Sequence, residues 1–168
     1  MDFAKLAAER YSLRKFSDRP VEAEKLAAVL ESGRNAPTAH NFQPQRILVL
    51  QSPEALEKVD GCTGAHFHPP VMLVVAYDPA VSWKRETDGK DHGEIDASIA
   101  ATHMMLEATD LGLGSIWVMS WDVGKVKEMF ALEAHIEPVA LLIVGYRAAN
   151  ATPRQGHFAS KTREEILL

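Results

Sequence analysis

Glu94 to Gly114 reads EIDASIAATHMMLEATDLGLG, and how this stretch folds decides the architecture. It is long enough for about five helical turns. Apolar or small residues, among them Ile95, Ala97, Ile99, Ala100, Met104, Leu106 and Ala108, stand on nearly every face of it. A helix without a polar side is expected to be buried all round, which in a chain of 168 residues implies a subunit interface as well as a core. Asp91 and Glu94 have the offset of an N-terminal cap, and Gly112 and Gly114 mark the stop.

Outward from this helix the chain alternates between two periodicities. VMLVVAYD (71–78) is a continuous apolar run of strand length, expected as a buried central strand, and RILVLQ, SIWVMSW and IEPVALLIVGY are further strands. Shorter helices are expected over Asp2 to Arg10, after Pro20 as far as Gly33, behind an N-cap at Ser52 through Val59, and from Asp122 to Phe130. The order is helix, helix, strand, helix, strand, long helix, strand, helix, strand, tail, a mixed α+β plan with helices covering a sheet. The polar stretch from Val81 to Gly93 has the character of an exposed, mobile loop.

Composition excludes several classes of function. The chain fits one domain spanning residues 1–168, and 46% hydrophobic with 24% charged residues is ordinary for a soluble globular protein. A net charge of −5 argues against a nucleic-acid binder, so any anion site must be local. Cys62 is the single cysteine and can form no internal disulfide; no apolar run approaches spanning length, and the N-terminus shows no apolar signal core, so a reducing cytoplasm is expected and a membrane is not. Nucleotide binding through a glycine-rich turn after a strand or a P-loop is excluded, no G-x-S-x-G is present, and His66, His68, His92 and His103 nominate no metal site.

Two stretches carry possible chemistry. In RYSLRKF, Arg10, Ser12 and Arg14 fall at every second position, and in an extended segment all three project the same way. Two guanidinium forks with a hydroxyl between them suit a phosphate or carboxylate, although a solvated surface strand would show the same row. In APTAHNFQPQ, Thr38, His40, Asn41 and Gln43 follow a helix end. Their amide and hydroxyl groups suit a heterocycle edge carrying both donors and acceptors, while turn chemistry alone accounts for Pro37 and Asn41. With no nucleophile or metal of its own, the chain would leave the hard chemistry of any reaction to a cofactor.

In order and spacing, RYSLRKF, APTAHNFQPQRILVL, EIDASIAATHMMLEATDLGLGSIWV and EPVALLIVGY closely resemble the nitroreductase family of FMN-dependent oxidoreductases. The resemblance covers nearly the whole chain. It implies an α+β fold with a mixed, mainly antiparallel sheet flanked by helices, a homodimer joined through the long helix, and FMN at the interface. By resemblance, Arg10, Tyr11, Ser12 and Arg14 grip the FMN phosphate and ribityl chain, and Pro37, Thr38, Asn41 and Gln43 form the family's polar loop, with Thr38 in place of the usual Ser. Gly114, Ser115 and Ile116 lie where the backbone approaches the cofactor, and Lys161 or Arg163 supplies the C-terminal phosphate contact where Ser160 replaces an Arg.

Phe42, Trp117 and Met119, with Trp121 nearby, are expected to line the substrate pocket, or else to be plain core. The implied reaction passes a hydride from NADH or NADPH through flavin N5 to a small electron-poor acceptor, a nitroaromatic, quinone or similar molecule, in a ping-pong scheme. A flavin storage or sensor protein, or a specialised FMN enzyme such as a reductive dehalogenase, stands as the alternative.

Overall fold

The computed structural model describes residues 2–168. Six helices and four strands follow one another as α1 (Phe3–Glu9), α2 (Ala23–Arg34), β1 (Gln45–Leu50), α3 (Pro53–Asp60), β2 (Val71–Tyr77), α4 (Gly93–Asp110), β3 (Gly114–Val118), α5 (Val123–Met129), β4 (Glu137–Gly145) and α6 (Arg163–Ile166). The strands form one antiparallel sheet in the order β1-β2-β4-β3. The mixed character comes from a parallel bridge between Ser12 and Ser115 on the free edge of β3.

Strand alternation sorts the apolar residues onto two faces. Val71, Leu73 and Val75 of β2 with Ala140, Leu142 and Val144 of β4 pack beneath α2 and α4. Met72, Val74, Leu141 and Ile143 face the other way, toward Val59 of α3 and Val126 of α5. Both faces of β2 and β4 are covered, which is why these strands read as unbroken apolar runs. Pro138 has no N–H to give the ladder, and the β2–β4 register shifts beside it, between Val75 and Ala76.

The shorter helices start where local chemistry places them. The Ser52 side chain accepts from Ala55 N–H and Asp122 from Lys125 N–H, each supplying an N-cap. At the end of α4 the chain turns at Gly112, whose φ of +78° is a left-handed conformation that a side chain would resist. α2 crosses α4 at Gly33, where a Cβ would come within 2.7 Å of Met104 Cγ.

Two expectations need correction, the cap of α4 and the length of the third strand. On α4 itself Ala97, Ala100, Ala101, Met104 and Ala108 are buried, while Ile95 is 45% exposed and Phe3 of α1, beside the same outer groove, is 67% exposed, on the side where a subunit interface is expected. Within one chain only one side of the helix finds neighbours. The residue preceding α4 is His92, without a side-chain cap bond; Asp91, one residue earlier, accepts from the first helical N–H, that of Gly93, at 2.8 Å. The stretch from Val81 to Gly93 is mostly exposed, and it carries bonds of its own. Lys84 bridges to Asp91, Ser82 is buried and donates to Asp91 at 2.8 Å, and Arg85 pairs with Asp88. The third strand also stops at Val118, two residues after which the polypeptide turns toward Thr63, paired with Trp121.

Candidate functional site

α1 ends at Arg10, whose φ of −63° and ψ of 129° turn the chain into an extended course. Leu13 N–H donates to the Ser115 carbonyl at 2.9 Å, Ser17 N–H to the Tyr146 carbonyl at 2.9 Å, and Ala148 N–H returns to the Lys15 carbonyl at 3.0 Å. The segment is thus stitched along the edge of the sheet, and its exposure alternates. Tyr11 and Leu13 are buried, while Arg10, Ser12 and Arg14 are half-buried. The two environments fall at alternate positions, as expected for an extended row.

The approach of this segment to β3 explains Gly114. A Cβ there would come within 2.4 Å of Leu13 Cδ2, so the glycine is needed by the chain's own packing. Beside it Ser115 is 1% exposed, and its Oγ has no hydrogen-bond partner. Ile116 points into the second core, so only its backbone is available to the site.

Arg14 donates from Nη1 to the Ser12 carbonyl at 3.0 Å, and among the described residues no carboxylate pairs with it or with Arg10. Burial, and then the positive charge of Arg154, push the Arg14 guanidinium below its ordinary value. Arg14 and Arg154 are thus like charges close enough to act on one another, and no carboxylate pairs with Arg14 among the described residues. That set suits an oxyanion of high charge. Arg154 was missed in the sequence reading, which looked further along the tail; Lys161 and Arg163 are both exposed there. The only local signal was a basic residue after Pro153, which is too common to single out. Tyr11 packs with the Arg147 guanidinium 5.0 Å from its ring centroid and lies 5.9 Å from the ring of His157.

The loop following α2 passes through a short 3-10 turn, Ala39–Asn41, with three non-glycine residues in the left-handed region: His40 (φ 51°), Asn41 (φ 57°) and Gln43 (φ 52°). Thr38 Oγ1 accepts from Gln43 N–H at 3.1 Å, and Gln43 Nε2 donates to the Asn41 carbonyl at 3.2 Å. Those two side chains brace the loop, while the Asn41 amide is exposed and makes no side-chain hydrogen bond among the described residues. Arg46 Nη1 donates to the Gln43 carbonyl at 3.2 Å, and its Nη2 to Asp78 at 3.2 Å.

Aromatic side chains gather beside this loop. Phe42 is 49% exposed and its ring lies 5.6 Å from that of His40, which is 5.2 Å from Trp83, itself 5.0 Å from His92. Trp83 lies in the polar stretch from Val81 to Gly93, where nothing local in the sequence marks it for this site. Trp117 is half-buried on β3 and donates from Nε1 to Met119 Sδ at 2.8 Å, leaving Met119 59% exposed. Burial pushes the Cys62 thiol up, away from nucleophilic use. Among the described residues no cluster of His, Cys, Asp and Glu is arranged to hold a metal, and no helix is long and apolar enough to cross a membrane.

The family model described as "Nitroreductase family" matches residues 7–63 and 59–146, which takes in the arginine row, the left-handed loop, α4 and the whole sheet. The chain belongs to the nitroreductase family. A solved nitroreductase family protein from Clostridium difficile 630 is 38% identical and superposes with a TM-score of 0.93, covering 100% of this chain and 98% of that one. A provisionally named NADH dehydrogenase/NAD(P)H nitroreductase of Methanothermobacter thermautotrophicus is 27% identical over 171 residues, 92% of this chain and 82% of its own length. The Bacillus subtilis protein named FMN reductase [NAD(P)H] is 25% identical over 183 residues, 97% of this chain and 74% of its own. Arg154 and the two tail cations Lys161 and Arg163 lie beyond the part of this nitroreductase-family chain that the family model matches.

Proposed function

We propose that this chain is an NAD(P)H-dependent FMN oxidoreductase that reduces a small electron-poor acceptor such as a nitroaromatic or quinone. The observation that carries the reading is the pair Arg14 and Arg154, with no carboxylate paired to either among the described residues, next to half-buried Ser12 on the row. A terminal phosphate would bring the missing negative charge and its oxygens would accept from these donors. The fit extends along the site. Arg10, Ser12 and Arg14 would hold the phosphate and ribityl chain above a floor made by Tyr11, with the backbone of Gly114, Ser115 and Ile116 alongside.

When bound, FMN supplies a ring whose N5 takes a hydride from NADH or NADPH and passes it to the acceptor, one substrate following the other at the same face. What the protein adds is position and field. The exposed Asn41 amide offers a donor and an acceptor to a heterocycle edge, and a donor there stabilises negative charge on a reduced ring. Pro37, Thr38 and Gln43 keep that amide in place. Phe42, Trp117 and Met119 offer apolar surface on which a flat acceptor can rest.

The same proposal includes a homodimer. Phe3, Ile95, Ile99 and Leu106 form an apolar groove on the outer side of α4, and a second copy of the chain would cover it. It treats residues 1–168 as one FMN-binding unit and, from the single free Cys62, places the reaction in a reducing cytoplasm.

Purified protein loaded with FMN tests the function directly. Anaerobic bleaching of the yellow colour by NADH or NADPH, followed by its return on adding a nitroaromatic or quinone, is the expected result. Loaded protein that neither nicotinamide bleaches would be a storage or sensor protein instead, and failure to bind FMN at all would remove the proposal.

A further inference from the structure

We propose that Asp96 is a positioning residue: with His92 it makes the first turn of α4 a clamp that holds loop 38–43 in its left-handed course against the flavin. The proposal rests on the reading that this loop meets FMN. Asp96 is 2% exposed, and among the described residues no lysine or arginine pairs with it. A lone buried carboxylate is costly, and such groups persist where a specific bond requires them. Here the positive end of α4 favours the charge, and Asp96 Oδ1 accepts from Ala39 N–H at 2.9 Å, while Oδ2 has no partner.

The bond falls at a significant place. Immediately after Ala39 come the left-handed residues His40 and Asn41, then Gln43, conformations that non-glycine residues hold only when their surroundings impose them. The remaining bonds of Asn41 N–H to the Thr38 carbonyl, Phe42 N–H to the Ala39 carbonyl and Gln43 N–H to Thr38 Oγ1 are internal to the loop. They would move with it. Hydrogen bonds tie it to the rest of the protein at Ala39, through Asp96, and at Gln43, through Arg46.

His92 adds a second grip, one turn before Asp96 and on the same side of the helix. Its ring lies 5.0 Å from Trp83, and Trp83 lies 5.2 Å from His40. Successive loop residues, Ala39 and His40, are thus held from the start of one helix, the first directly by Asp96 and the second from His92 through Trp83. Asn41, with its exposed amide, is the next residue along.

The test compares wild type, Asp96→Ala, Asp96→Asn, Asp96→Leu and Arg14→Ala by amide hydrogen exchange of the FMN-free protein and by FMN titration of flavin fluorescence. Asp96→Ala is expected to speed exchange at Ala39 to Gln43 about tenfold or more, the scale of one hydrogen bond, and to weaken FMN by a similar factor. Asp96→Asn keeps the Oδ1 acceptor and should restore both, which a purely charge role would not predict, whereas Asp96→Leu keeps the volume without an acceptor and should restore neither, which a purely packing role would not predict. Arg14→Ala should weaken FMN with loop exchange unchanged. If Asp96→Ala does not fold, Trp83→Leu, which breaks the ring row from the outer loop, should speed exchange at His40. Unchanged loop exchange in these variants overturns the clamp. Faster exchange with unchanged FMN affinity overturns the flavin-facing reading of the loop instead, and with it the role of Asp96 toward the cofactor.

Discussion

Leu13 Cδ2 occupies the space into which a side chain at Gly114 would grow, coming within 2.4 Å of its Cβ, and Leu13 is fully buried. This contact sets how closely the arginine row lies against the sheet. Gly114→Ala should push that segment outward, at a cost of about 1–3 kcal/mol for overpacking. A chemical-denaturation curve measures the stability loss, and weaker FMN binding should accompany it. Full stability with unchanged binding would show that the segment yields freely.

Arg14 and Arg154 should behave differently with and without the cofactor. Removing either cation is expected to weaken FMN by about 1.5–3 kcal/mol, the scale of a hydrogen bond to a charged group. Arg154→Ala also relieves the repulsion on Arg14, so the FMN-free protein should lose no stability from the lost charge. Added salt should weaken wild-type binding and affect the Arg14→Ala variant less. Equal salt dependence in both proteins would detach the pair from the phosphate.

Glu22 supplies a pH dependence remote from the site. Its carboxylate accepts from Tyr146 OH at 2.6 Å, and that bond, then a backbone bond, then Arg19, lower it to about 2 from an ordinary 4.5. Between those two values the unfolded chain binds more protons than the folded one, so stability rises with pH. The contribution is complete above 4.5 and is lost as pH falls through about 2. Tyr146→Phe should flatten this acid limb in a series of denaturation midpoints, and an unaltered limb would assign it to other carboxylates.

Ile95, 45% exposed, tests the proposed second copy. Ile95→Glu places a charge on the outer groove of α4 and should convert a dimer to a monomer in sedimentation velocity, with FMN affinity falling if the site is shared. A wild-type protein that sediments as a monomer would remove the homodimer from the proposal.

Alternation and helical stripes are local properties, so the Arg10, Ser12, Arg14 row and the extent of α4 can be read from the chain alone. The apolar runs at Val71 and Val139 likewise announce strands covered on both sides. Other features arise only when distant segments meet. Nothing near Arg154 announces Arg14, and Asp96 stands with Glu94 in the first turn of an otherwise apolar helix, a signal whose meaning depends on Ala39 being beside Asp96. The left-handed course of His40, Asn41 and Gln43 was equally hidden, because residues other than glycine take it under constraint from outside. The pairing inside the loop from Val81 to Gly93 was hidden for a different reason. Its polar residues pair mostly with one another, as Ser82 does with Asp91, and composition cannot distinguish that from pairing with water.

The guanidinium of Arg46 reaches the Gln43 carbonyl with one nitrogen and Asp78, at the root of the next loop, with the other. Together with the bond from Asp78 N–H to the Pro44 carbonyl at 2.9 Å, it ties the end of loop 38–43 to the start of the loop that carries Trp83. If loop 38–43 meets the flavin as proposed, displacing either segment strains the other, so Arg46→Ala is expected to admit bulkier acceptors while weakening the hold on FMN.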